Sequence, residues 1–98
     1  MVVSFADSDL ERLWVEAGFT MGLPPFVVTS YRKKLQAISQ ARDTRDLRNM
    51  KSLRLEKLKG KRQHEHSMRL NGQYRLVLEI ASANGEQRIV LKSVEDYH

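Results

Sequence analysis

Three neighbouring residues near the end of the chain, Asp96-Tyr97-His98, carry the side chains best suited to proton transfer. An imidazole titrates near neutral pH, so His98 can take up or give back a proton. A tyrosine ring can stack on a base or donate a hydrogen bond, as Tyr97 would. A second group of residues, upstream, is strongly cationic: Lys57, Lys59, Lys61, Arg62, Arg69 and Arg75. Together the two groups have what cleavage of RNA requires. One group deprotonates a 2′-hydroxyl, cations neutralise the phosphorane, and another group protonates the departing 5′-oxygen. Residue chemistry alone leaves this open beside a passive RNA- or protein-binding module, which it favours.

The elements that must position these residues are legible between 53 and 80. Leu53, Leu55 and an offset Leu58 read as a strand, and Gly60 to Gln63 as a basic loop. His66, Met68 and Leu70 alternate with Ser67 and Arg69 in a second strand. Asn71-Gly72 is a strong hairpin signal, because both residues tolerate the positive φ of a type I′ turn. Tyr74, Leu76, Leu78 and Ile80 then fall on one face of a third strand, with Arg75, Val77 and Glu79 on the other. This places Arg69 and Arg75 on a sheet, with the lysines and Arg62 near them.

The flanks supply the rest of a core. Val2, Val3 and Phe5 make a short first strand, and Asp7 or Asp9 can cap the helix after it. Leu10, Leu13, Trp14 and Ala17 recur at helical spacing, with Gly18 as the stop. Pro25 can open a second helix with Val27, Tyr31, Leu35 and Ile38 on one stripe. Phe19 to Leu23 is a short link suited to a helical hairpin. Residues 42–52 predict a helical turn and then a loop. Ala83-Asn84-Gly85 is a second turn before a closing strand, Gln87 to Val94. Helices followed by grouped strands argue for an α+β fold, with a strand and two-helix hairpin packed on an antiparallel sheet.

The 98 residues make one domain, 1–98. At 41% hydrophobic and 30% charged the chain is globular rather than disordered. It lacks an apolar run of the ~20 residues that span a bilayer, so no membrane role is expected. Met1 to Phe5 has no basic residue and is followed by Asp7 and Asp9, which argues against a signal peptide. There is no cysteine, which excludes disulfides and thiolate chemistry and fits a cytoplasmic location. Charge is concentrated centrally. Residues 32–75 carry fourteen basic and four acidic residues, whereas residues 1–31 carry one and four. A block of this kind suits a phosphate-rich partner. His64 and His66 would share a strand face, but further ligands are lacking, so no metal site is expected. No phosphate-binding Gly-rich loop or nucleophile elbow is present either.

Three stretches together resemble the HigB toxins, a branch of the RelE/ParE superfamily of type II toxin–antitoxin systems. They are Leu55-Glu56-Lys57-Leu58-Lys59-Gly60, the run His66-Ser67-Met68-Arg69-Leu70-Asn71-Gly72-Gln73-Tyr74-Arg75-Leu76, and the terminal Asp96-Tyr97-His98. The resemblance covers nearly the whole chain. It implies a RelE-like fold, ribosome-dependent cleavage of mRNA on the 70S ribosome, no cofactor, and a HigA-like helix-turn-helix antitoxin. It assigns functional places to Lys59, Arg75, Asp96, Tyr97 and His98. Several HigB toxins carry a histidine where this chain has Glu56, and a glutamate there can act as a general base. On this reading Lys59, Arg62 and Arg75 neutralise transition-state charge, and His98 and Glu56 are the acid/base pair in unassigned order. Tyr97 orients or stacks a base, and Asp96 orients His98 or fixes the tail. Lys57, Lys61 and Arg69 grip RNA phosphates. The ParE branch shares the fold but targets gyrase, so a gyrase poison and a non-catalytic nucleic-acid- or antitoxin-binding module are the alternatives.

Overall fold

The computed structural model describes residues 1–96. Its five-stranded sheet runs in the order β1-β5-β4-β3-β2, with three helices. The α+β expectation holds, with two differences at the sheet edges. The first strand, β1 (Val2–Phe5), pairs in parallel with the last strand, β5 (Glu86–Asp96). The strand expected from Leu53 shrinks to β2, Glu56–Lys57, because Lys51–Leu53 form a 3₁₀ turn with Leu53 buried in the core. A side chain committed to the core from a 3₁₀ turn is not free to pair as a strand.

Helix α1 spans Ser8–Val15, and Asp7 is its cap: its carboxylate accepts from the Asp9 amide at 2.8 Å. The helix stops at Val15, before Ala17 and Gly18, since Glu16 is already extended. Arg32, on α2 (Pro25–Gln40), explains why the chain can leave the helix there. Its guanidinium donates to the carbonyls of Leu13 (3.0 Å), Glu16 (3.0 Å), Ala17 (3.2 Å) and Phe19 (3.1 Å). The Leu13 carbonyl belongs to the last turn of α1, which leaves it without an intrahelical partner, and the other three belong to the segment that leaves the helix. Arg32 is thus a staple of the helical hairpin. Bordering Arg32 on α2, the anticipated stripe of Val27, Tyr31, Leu35 and Ile38 is buried, with Val28 flanking it. Tyr31 brings its hydroxyl into the core and donates to the Leu10 carbonyl at 2.7 Å, and burial raises its pKa. A short α3, Thr44–Asn49, is capped by Asp43 and adds Leu47 to the core.

Strands β3 (Glu65–Arg69) and β4 (Tyr74–Ala83) form the first hairpin. Its turn is not type I′. Neither Asn71 nor Gly72 has a positive φ. Instead the Asn71 side chain accepts from the amides of Gln73 (2.9 Å) and Tyr74 (2.6 Å), an Asx turn that closes a four-residue connection. The type I′ geometry appears one hairpin later, at Asn84 (φ 54°) and Gly85 (φ 79°) between β4 and β5. On β4, Leu76 and Leu78 are fully buried in the helix-side core, with Tyr74 and Ile80 packed at its margin. Removing the Leu78 side chain leaves a cavity the sheet cannot collapse. Leu78→Ala should cost roughly 2–5 kcal/mol, read from chemical denaturation.

One irregularity in β5 matters for the site. Leu91 faces Leu78 and Ser93 faces Val77, so Lys92 is an extra residue between them. This bulge changes the parity of the strand. Ile89, Leu91 and Val94 all pair with helix-face residues, and Glu95 comes to lie directly opposite Arg75.

Candidate active-site cleft

The sheet face away from the helices gathers the charged residues. Residues opposite one another on neighbouring strands share a face. Arg69 pairs with Arg75, and Arg75 with Glu95, giving a charged row across β3, β4 and β5. The next row is Glu56, Ser67, Val77 and Ser93. Between these rows lies a small cleft of about 130 Å³, lined by Arg54, Glu56, Ser67, Arg69 and Arg75. Three cations thus share a lining with one carboxylate. Two arginines directly opposite on adjacent strands repel. Glu95, on the far side of Arg75, offsets part of that repulsion.

Glu95 organises the neighbouring cations. Its carboxylate accepts from Arg62 Nη1 at 2.9 Å and Nη2 at 2.7 Å, from Ser93 Oγ at 2.9 Å and from Arg75 Nη2 at 3.4 Å. Arg62 Nε donates to Glu65 at 2.6 Å. Every nitrogen of Arg62 therefore already donates to a carboxylate, and its pKa is raised by Glu95 first and Glu65 second. The two-pronged Arg62–Glu95 contact ties the basic 3₁₀ turn Gly60–Arg62 to the end of β5. Arg62, Ser93 and Arg75, acting against partial burial, hold the Glu95 carboxyl at about 2 in place of an ordinary 4.5. The unfolded chain therefore binds the proton first as pH falls. The stabilisation is complete above about pH 4.5 and is lost towards pH 2. Glu95→Gln should flatten the fall in melting temperature across that window, and a scan of melting temperature against pH checks it.

The anticipated residues divide between two faces. Glu56, Arg69 and Arg75 meet in the cleft. Lys57 sits on the other face, paired with His66, which itself pairs with Leu78. Burial first, and then Arg48 and Lys57, lower the His66 pKa. Neither His64 nor His66 lines the cleft. Lys59 and Lys61 are exposed at the 3₁₀ turn. Asp96 lies opposite Tyr74, and its carboxylate accepts from Gln73 Nε2 at 2.8 Å. Tyr97 and His98 lie outside the described residues. His64, Glu65 and Glu79 bring ligand atoms within 4.8 Å of one another. Both carboxylates there already face cations, Arg62 for Glu65 and Lys92 for Glu79. Sequence reading passed over two cleft residues, Arg54 and Ser67. Ser67 had a signal, since it shares strand parity with Arg69.

The architecture is that of the RelE-like toxins. A solved structure described as a YoeB/ParE toxin from Agrobacterium tumefaciens superposes over 100% of both chains, with a TM-score of 0.56 and 16% identity. The chain belongs to the HigB-like toxins, the family described as RelE-like toxin of type II toxin-antitoxin system HigB, whose profile matches residues 3–98. It is thus a type II toxin, and that class implies an antitoxin partner. No curated protein sequence gave a match. Among the described residues no helix is long and apolar enough to cross a membrane.

Proposed function

We propose that this toxin is a ribosome-dependent mRNA endoribonuclease. The observation that carries the reading is the cleft itself. In a chain of this family, one carboxylate, Glu56, shares a small concavity with Arg69 and Arg75. A general base beside a pair of fixed guanidinium groups is the equipment for phosphodiester transfer.

A base removes the proton of the substrate's 2′-hydroxyl, and that oxygen attacks the adjacent phosphorus. Charge builds on the non-bridging oxygens, where Arg75 and Lys59 offset it. An acid then protonates the 5′-oxygen as the P–O bond breaks, leaving a 2′,3′-cyclic phosphate and a new 5′-hydroxyl. Glu56 and His98 are the acid/base pair. Arg62, whose nitrogens are engaged by Glu95 and Glu65, serves by holding the carboxylate that Arg75 shares. Tyr97 stacks or orients a base, and Asp96 fixes the start of the tail. Arg69, Lys57 and Lys61 grip RNA phosphates on the ribosome, Lys57 from the opposite sheet face. The nucleophile belongs to the substrate, so the scheme has no step for a metal. The remaining partner is an antitoxin of HigA type with a helix-turn-helix domain, and the setting is the cytoplasm.

The test adds purified toxin to a coupled translation reaction and maps RNA ends, with gyrase supercoiling assayed in parallel. New mRNA ends that appear with translation support the reading. Intact mRNA with blocked supercoiling would replace it with a ParE-like activity.

A further inference from the structure

Arg54 stands where the local geometry does not favour an arginine. It ends the 3₁₀ turn Lys51–Leu53 in the left-handed conformation, φ 50° and ψ 52°, with its amide donating to the Lys51 carbonyl at 3.1 Å. That region crowds Cβ against the backbone, which is why glycine or asparagine usually fills such a cap. The turn cannot relax away, because Leu53 is buried just before it and β2 begins two residues after it. Strained positions of this sort persist where the side chain is needed.

The Arg54 side chain lines the cleft with Glu56, Ser67, Arg69 and Arg75. Among the described residues no carboxylate forms an ion pair with it, whereas Arg62 and Arg75 both share Glu95. Its charge is therefore not already matched by a fixed anion of the protein. We propose that Arg54 is a further catalytic residue, donating to a non-bridging oxygen of the scissile RNA phosphate beside Arg75. This inference rests on the nuclease reading above. It gives Arg54 the place in charge neutralisation that the sequence pattern suggested for Arg62.

The geometry allows a test in which folding and activity move apart. Arg54→Gly removes the guanidinium and also relieves the left-handed backbone, so its melting temperature should match or exceed that of the wild type. Single-turnover cleavage of mRNA on programmed ribosomes should nevertheless fall roughly 10²–10³-fold, the scale for losing one transition-state donor. Arg54→Lys, which keeps the charge but not the planar fork, should fall between the two. Ribosome binding should change only a few-fold. Wild-type cleavage by Arg54→Gly would overturn the proposal. So would equal slowing of the glycine and lysine variants together with lower melting temperatures, since that pattern marks a structural role. If the wild-type toxin itself makes no cut, the nuclease reading fails before any variant is compared, so the two failures are separable.

Discussion

Arg75→Ala should lower single-turnover mRNA cleavage by roughly 10²–10³-fold while the protein stays folded. The size follows from the place of Arg75 in the fold. It lies between Arg69 and Glu95 on a sheet face, is only 25% exposed, and lines the cleft with Glu56. A guanidinium fixed by a rigid strand pays no reorganisation when charge develops on the phosphate. The stability cost should be small, about 1 kcal/mol or less for one cross-strand charge pair. Arg62 still holds Glu95 in the variant, and Arg75→Ala also removes the repulsion from Arg69. Urea denaturation beside the cleavage assay checks both halves. A variant that unfolds would mean that the arginine serves the core, not the cleft.

The second large effect concerns His98, whose imidazole is the one group in the proposed scheme suited to move a proton in either direction near neutral pH. His98→Gln should slow cleavage by roughly 10²–10⁴-fold, the usual contribution of a general acid or base. Glutamine keeps a hydrogen bond but cannot pass on a proton. Ribosome binding should survive, because one imidazole adds little to a chain with 17 lysines and arginines. Binding measured by co-sedimentation and cleavage measured separately distinguish the two. Tyr97→Phe should be milder, since the ring that stacks remains. Wild-type cleavage by His98→Gln would shift the proton transfer to Glu56 or to solvent.

Period-two alternation made the central strand legible. Leu76 and Leu78 face the helices and Arg75 faces away, as their spacing requires. The helical stripe from Val27 to Ile38 and the aspartate cap of α1 were equally readable, because each depends on local chemistry. What escaped depends on contacts distant in sequence. Arg32 looks like one more surface cation until α1 ends beneath it. The pairing of β1 with β5 joins opposite ends of the chain. Asn71-Gly72 has the composition of a type I′ turn, yet its side-chain hydrogen bonds select an Asx turn with a longer connection. The cleft was half legible. Glu56, Arg69 and Arg75 were anticipated, but the extra residue Lys92 that brings Glu95 opposite Arg75 leaves no mark in composition or spacing. Nor does the left-handed backbone that turns Arg54 into the cleft lining.

The most direct test of the nuclease account compares one mRNA in two states, naked and threaded through a ribosome with an open A site. Purified toxin is mixed with each, and 5′ and 3′ ends are mapped over a single turnover. The account predicts a cut only in the ribosome-bound mRNA, with a 2′,3′-cyclic phosphate upstream and a 5′-hydroxyl downstream, and loss of that cut in Arg75→Ala. Equal cutting of naked mRNA, or an intact message on the ribosome at saturating toxin, would contradict it.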